Sequence, residues 1–502
     1  MHRADMRLTL LLSLLQYAAA LRLHPGVRLA PAAGAPSRVC GPHLPVLQQN
    51  SEDNTTVSRD MLSIALPAFV GLAIDPVAGM VDTAFIGRCC GTEALAGSGV
   101  AISVFNLVSK TFNFLSSATT SQVASASPDA SPGEFTAEMI RAASASLTVA
   151  LVLGCSIAAV LVLGGGSLLG MLRVAPDQLP SARAYLSMRA LSAPATLALM
   201  TLQGAFRGAR DTRTPLGALT LASVLNVVLD WLLIGGMRGG VRGAALATTL
   251  SQYAAAGVLC RQLVQRCGES CAVADGPLAT LRLLRPRRAD CAKVARAGSW
   301  LTLRTFTGVG ALSFSSVAAA SLGAAVGAAH QVAFQLWLAA SLLADAVAVA
   351  AQALVAAAVA RADAPAVRAV MRRTLAFGLA AGVLTALGLA SAPTALCRLF
   401  TTDAAALAAA AAVWPLVVCT QPLNTLAFAV DGLIFGAQDF TFCALGMAGV
   451  SAAAMLPMAL APRFGLRAVW VGLGTFMGLR AAVYLARIQS ARGPWALLSE
   501  RK

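Results

Sequence analysis

The chain runs to 502 residues, of which 57% are hydrophobic and 12% charged, with a mean hydropathy of +0.72. Soluble domains carry roughly 25% charged residues, so this composition excludes a soluble enzyme, a disordered hub and an ordinary nucleic-acid binder, and fits a polytopic membrane protein. Lys and Arg number 38 against 22 Asp and Glu, a net charge of +16, and membrane proteins place such an excess in loops to set their topology.

Residues 1–50 read as an address. Arg3 and Arg7 precede an apolar run from Leu8 to Ala20 that ends in three alanines. It is too short for a hydrocarbon core of ~30 Å and reads as a signal-peptide core. From Leu21 to Asn50 the chain carries Arg22, Arg28 and Arg38, several prolines and no acid. That is the pattern of a transit peptide behind a signal peptide, the bipartite address of plastids acquired by secondary endosymbiosis. The plastid envelope is the expected location; a secretory signal with a loose tail would place the protein in the plasma or vacuolar membrane.

Past Arg59, twelve apolar stretches predict twelve membrane-crossing helices: 61–86, 94–122, 143–170, 184–205, 214–235, 243–264, 296–322, 326–358, 371–396, 405–435, 441–461 and 466–488. Helices are the open-chain solution where backbone groups have no water to bond. The expected fold is all-α, with an N-terminal six-helix lobe over 58–264, a basic interlobe loop over 265–295 and a C-terminal six-helix lobe over 296–490. The halves repeat: Gly204-Ala-Phe-Arg-Gly-Ala-Arg-Asp211 aligns with Gly432-Leu-Ile-Phe-Gly-Ala-Gln-Asp439, and Gln122 with Gln352. Six-helix repeats keep one membrane orientation, so the lobes are expected to be pseudo-symmetric about the membrane normal, with substrate between them.

Loop charge orients the chain. The side holding both ends collects Arg207, Arg210, Arg213, the arginine-rich loop from Arg261 to Arg296, then Arg361, Arg368, Arg372, Arg373 and the basic tail. The opposite side holds Arg88, Arg173, Arg183, Arg189, Arg238, Arg242, Arg398, Arg463 and Arg467. The richer side is cytoplasm-like, the stroma in a plastid.

Much chemistry is excluded. The three lysines, Lys110, Lys293 and Lys502, never follow a glycine, so no P-loop exists. His330 is the only histidine past the leader, which removes HExxH zinc chemistry, and no GxSxG elbow occurs. The 11 cysteines form no CxxC and read as small apolar fillers; only Cys267 and Cys271 share a polar loop where they could pair or bind metal. No cofactor is expected.

Acids inside lipid are costly and read as functional. Asp75 and Asp82 in the first span are seven apart, on one helix face about 10 Å from each other, with Pro76 between them. In the fifth span Asn226 and Asp230 are four apart and overlie one another. The sixth offers Thr248 and Thr249. Convergence of Asp82, Asn226, Asp230 and Thr248 would build an all-oxygen cluster able to hold Na⁺ or share protons between two carboxylates; no other metal site is expected. The second half carries Asp345, Asp431, His330 and Arg304 as candidate substrate or secondary proton sites, with Asp75 as another. A buried Arg304 would require an acid partner or an anionic substrate; otherwise it snorkels to the membrane edge. The counterparts of Asn226 and Asp230 fall near Ser451 and Met455, so the paired site belongs to the first half alone.

Several stretches resemble the multidrug and toxic compound extrusion (MATE) family, especially its DinF-like plastid branch. They are Ile74-Asp-Pro with Val81-Asp-Thr-Ala-Phe-Ile-Gly87, Phe206-Arg-Gly-Ala-Arg-Asp-Thr-Arg-Thr-Pro215, Leu225-Asn-Val-Val-Leu-Asp230, Gly243-Ala-Ala-Leu-Ala-Thr248, and Ala328-Ala-His-Gln331 with Ser341-Leu-Leu-Ala-Asp345. The likeness spans about residues 58–490. It implies a twelve-helix, two-lobed exporter that works by alternating access as a secondary antiporter, moving organic solutes or xenobiotics in exchange for H⁺ or Na⁺; a monomer is expected. By the resemblance, Asp82, Asn226, Asp230 and Thr248 form the first-lobe cation site, and Asp431 matches an acid used by one branch. That branch's glutamate in the seventh span is absent here, since Phe306 to Gly308 hold no acid. The implied cargo is a cationic drug or an anionic phenolic. A lipid-linked-saccharide flippase of the same superfamily is the second reading and a membrane-embedded transferase the third; the transferase lacks its second acidic motif.

Overall fold

The computed structural model describes residues 46–172, 174–271 and 286–499, side chains excepted at 46–54, 75, 92 and 267–271. The leader lies outside this range except for its last five residues, which begin the first helix. Residues 272–285 of the expected interlobe loop and the side chains of Cys267 and Cys271 also lie outside it, and the expected loop is shorter than 265–295, because 265–271 and 288–295 continue the flanking helices.

Helices follow one another with no strand among the described residues. The first half contains α1 (Val46–Cys90), α2 (Thr92–Thr111), α3 (Phe114–Ala126), α4 (Ala137–Met171), α5 (Leu179–Ala190), α6 (Ala193–Gly208), α7 (Arg213–Asp230) and α8 (Gly240–Cys271). The second contains α9 (Arg288–Ala320), α10 (Ala324–Ala360), α11 (Ala364–Ser391), α12 (Pro393–Arg398), α13 (Ala404–Cys419), α14 (Gln421–Gly436), α15 (Phe440–Ala459), α16 (Ala461–Phe464) and α17 (Leu466–Gln489). The pairs α2–α3, α5–α6 and α13–α14 each occupy one predicted span, so all twelve stretches are helical. Among the described residues eight helices are long and apolar enough to cross a membrane, or nine if α13 and α14, bent by 49° at Thr420, count as one. The expected spans 184–205, 243–264 and 296–322 are not among these. Arg183, Arg189 and Arg207 sit on α5–α6, Arg242 and Arg261 on α8, and Arg296 and Arg304 on α9.

The repeated glycine motif sets the packing inside each half. A Cβ at Gly204 would lie 2.5 Å from the Ser116 carbonyl oxygen and one at Gly208 2.7 Å from that of Thr120, so α6 can lie on α3 only through glycine. In the second half Gly432 meets the Ala348 carbonyl in the same way, and a Cβ at Gly436 would be 2.8 Å from the Gln352 oxygen. Lipid supplies no hydrophobic drive between helices, so close backbone approach is the available source of packing energy. This register pairs Thr120 with Gln352, which corrects the expected match of Gln122 with Gln352 by two residues. The motif that reveals the repeat is therefore a packing device.

The halves are fastened at one end. The Ser121 hydroxyl donates to the Phe435 carbonyl at 2.6 Å, and Gln352 donates to the Ser117 carbonyl at 2.5 Å and the Ser121 hydroxyl at 2.8 Å. Gln438 donates to Ser125 at 2.9 Å, and Arg361 to the Pro128 carbonyl at 2.7 Å. All of these lie on the arginine-rich side. Among the described residues no hydrogen bond joins the halves at the opposite end.

Candidate functional site

Three helices of the first half bring together the predicted oxygen cluster. α1 supplies Asp82, α7 supplies Asn226 and Asp230, and α8 supplies Thr248. Asp82 is 7% exposed, Asn226 3% and Asp230 0%. Thr248 donates its hydroxyl to Asp82 Oδ2 at 3.2 Å, with the Ala244 carbonyl as an alternative acceptor at 3.0 Å. The carboxyl groups of Asp82 and Asp230 lie within electrostatic reach of each other, with Asn226 near Asp82. Even so, Asp82 Oδ1, both Asp230 carboxyl oxygens and Asn226 Nδ2 are buried without a hydrogen-bond partner. Unsatisfied buried acceptors are rare and each calls for an explanation. Three orphaned carboxylate oxygens in one buried cluster suit a ligand that brings positive charge, a proton or a small hard cation. Thr249 is spent on its own helix, donating to the Ala245 carbonyl at 2.7 Å.

The backbone next to the cluster departs from α-helix. Trp231–Gly236, which follow Asp230 directly, form a π-helical turn, a feature frequent at functional sites because it re-aims side chains. Asp75 is on the same helix as Asp82, but its side chain lies outside the described residues.

Two residues not expected at the site line this region. Tyr185, 3% exposed, interacts with Asp82, Asp230 and Thr248. Arg189, placed above among the loop arginines, is instead 8% exposed within α5 and interacts with Asp82. Its guanidinium donates to Gln252 at 2.7 Å and to the Ser192 hydroxyl, and stacks 4.2 Å from the Phe105 ring centroid. Its positive charge tempers the electrostatic conflict of two buried acids. The spacing of Tyr185 and Arg189, four apart on one helix face, was the available signal.

The second half is built differently. Asp431, on α14, is pinned between two arginines: Arg480 donates through Nε to Oδ1 at 3.0 Å and through Nη2 to Oδ2, and Arg304 pairs with the same Oδ2. Arg304 has found its acid partner and does not snorkel. Arg480, which the sequence reading did not single out, is 4% exposed inside α17, with its guanidinium 4.7 Å from the Phe428 centroid, as that of Arg304 is 5.0 Å from Phe435. Asp345 is half-buried within electrostatic reach of Arg480, Arg304 and Asp431, and makes no ion pair or hydrogen bond among the described residues. His330 is not brought to these groups. It is fully buried in an aromatic cluster, 5.5 Å from the Phe334 ring and 5.8 Å from Trp470, with Ser315 Oγ 3.5 Å from its Nε2.

The sequence profile described as MatE matches residues 67–232 and 304–460, most of both halves. Protein DETOXIFICATION 44, chloroplastic, of Arabidopsis thaliana is 37% identical over 482 residues, covering 90% of this chain and 88% of its own. Protein DETOXIFICATION 45, chloroplastic, of the same plant is 34% identical over 465 residues, covering 88% and 80%. Among solved structures, a MOP superfamily transporter from Pyrococcus furiosus superposes with a TM-score of 0.76 at 18% identity, covering 89% of this chain and 97% of that one. This likeness shows the fold: twelve helices in two lobes.

Proposed function

Because the chain belongs to the MATE family, whose members are multi-pass membrane transporters, we propose that it is a secondary antiporter that exports a small organic solute in exchange for H⁺ or Na⁺. The observation that carries this reading is the pair of buried carboxyl groups of Asp82 and Asp230, within electrostatic reach of each other and with three of their four oxygens orphaned. Two carboxylates cannot both stay ionised and uncompensated in a low dielectric. The pocket therefore gains free energy by taking up a proton or a sodium ion, with Asn226 and Thr248 as further oxygen donors. Binding there draws α1, α7 and α8 together, and a ligand can shift a two-state protein only through such differential contact. Solute release is the second half of that exchange.

The second lobe supports an organic anion, of the phenolic or carboxylic kind, over a cation. Arg304 and Arg480 share the carboxylate of Asp431, and guanidinium groups recognise planar anionic oxygens bidentately. The lobes are taken as 58–264 and 296–490, and the chloroplastic names of the two relatives favour the plastid envelope. Nothing in the geometry favours a flippase or a transferase.

The test is flux in sealed proteoliposomes containing the full chain. An outward gradient of salicylate or a cationic dye is imposed, and counter-movement of H⁺ and Na⁺ is recorded for the parent, Asp82→Asn and Asp230→Asn. Solute-driven cation flux in the parent, lost in both variants with intact folding, is the expected result. Equal flux in all three proteins overturns the coupling role.

A further inference from the structure

A cavity lined by several charged residues lies away from the paired acids. It lies on the arginine-rich side, where the two halves meet, and has a volume of about 590 Å³. Its walls come from the end of α3 and the start of α4 in the first half, and from the starts of α9 and α15 in the second. Arg141 enters from the first half and Arg287, Lys293 and Arg296 from the second, opposed by Glu138 and Asp290. Lys293 pairs with Asp290 at 3.3 Å; Arg141, Arg287 and Arg296 make no ion pair among the described residues. Three helices, α4, α9 and α15, begin at this cavity, and helix N-termini add a further positive partial charge. Trp300, half-buried, closes the apolar side, in keeping with the preference of tryptophan for the membrane–water interface.

We propose that this cavity binds a phosphodiester anion at the membrane surface, the headgroup of an acidic phospholipid. Three unpaired guanidinium groups supply bidentate donors for phosphate oxygens, and basic pockets between membrane helices on the cytoplasm-like side suit anionic headgroups. The headgroup touches Arg141 on one half and Arg296 on the other, beside the bond from Gln438 to Ser125 that already joins them. The lipid therefore adds a strap across the fastened seam and favours the arrangement in which the arginine-rich end is shut.

The experiment follows the thermal unfolding midpoint of the detergent-solubilised full chain on adding phosphatidylglycerol, phosphatidylcholine or sn-glycerol 3-phosphate. Phosphatidylglycerol is expected to raise the midpoint by about 2 °C or more over phosphatidylcholine, with no rise from glycerol phosphate. The Arg141→Gln/Arg296→Gln double variant is expected to keep its midpoint in phosphatidylcholine and lose the extra rise. Should that variant fold poorly, Glu138→Gln serves instead, because removal of an opposing charge strengthens the phosphatidylglycerol response. Equal responses to the two lipids, or an unaltered response in both variants, overturn the site. An equal rise with glycerol phosphate overturns its lipid character.

Discussion

The hydroxyl of Thr248 lies 3.2 Å from Oδ2 of Asp82, although 166 residues separate them in the chain. That contact ties α8 to α1 at the point where Asp230 approaches from α7, so one threonine decides how one of the two buried carboxyl groups is held. Hydrogen bonds to charged groups contribute about 1.5–3 kcal/mol. Replacement by valine, which keeps the shape and removes the donor, is expected to weaken coupling-cation affinity by about tenfold, while Thr248→Ser stays close to the parent. Cation dependence of flux in proteoliposomes measures both, and a valine variant with parental affinity would show the hydroxyl to be idle.

The second lobe offers a stability test. Asp431→Asn leaves Arg304 and Arg480 buried without their counter-charge, and breaking a buried pair this way costs about 3–5 kcal/mol. The midpoint of thermal unfolding should fall sharply. Adding Arg480→Gln should recover part of the loss, since one of the uncompensated charges is gone. Failure of the second substitution to recover anything would mean that the three residues do not act as a unit.

The glycine rows predict a size limit. Gly204→Val forces a side chain against the Ser116 carbonyl, where even a Cβ has 2.5 Å, and Gly436→Val does the same at Gln352. Overpacking costs about 1–3 kcal/mol, read as a lower unfolding midpoint and a broader size-exclusion peak. Gly217→Ala, whose Cβ meets nothing within 4 Å, should leave both unchanged.

At the fastened seam, Gln352→Ala removes two donors to the first half, at 2.5 and 2.8 Å. With each net hydrogen bond worth about 0.5–1.5 kcal/mol, the population open on the arginine-rich side should grow several-fold. Hydrogen–deuterium exchange across residues 117–131 should rise accordingly, with the remainder of α10 unaffected.

The twelve helices and their order were legible in the sequence because the bilayer imposes a local rule: a spanning segment must be apolar over a fixed length, and nothing distant enters that judgement. The pairing of Asn226 with Asp230 was legible for the same reason, since four residues bring side chains over one another on any helix. Arg189 and Arg480 were misjudged or passed over because a charge near the end of an apolar stretch looks the same whether it meets water or a buried partner. Which carboxyl groups come within reach of each other, that Asp431 is held by two arginines, that His330 belongs to an aromatic cluster, and that glycine rather than Gln122 sets the repeat register are facts of long-range approach. They depend on where helices over a hundred residues apart cross, and only the tertiary structure decides that.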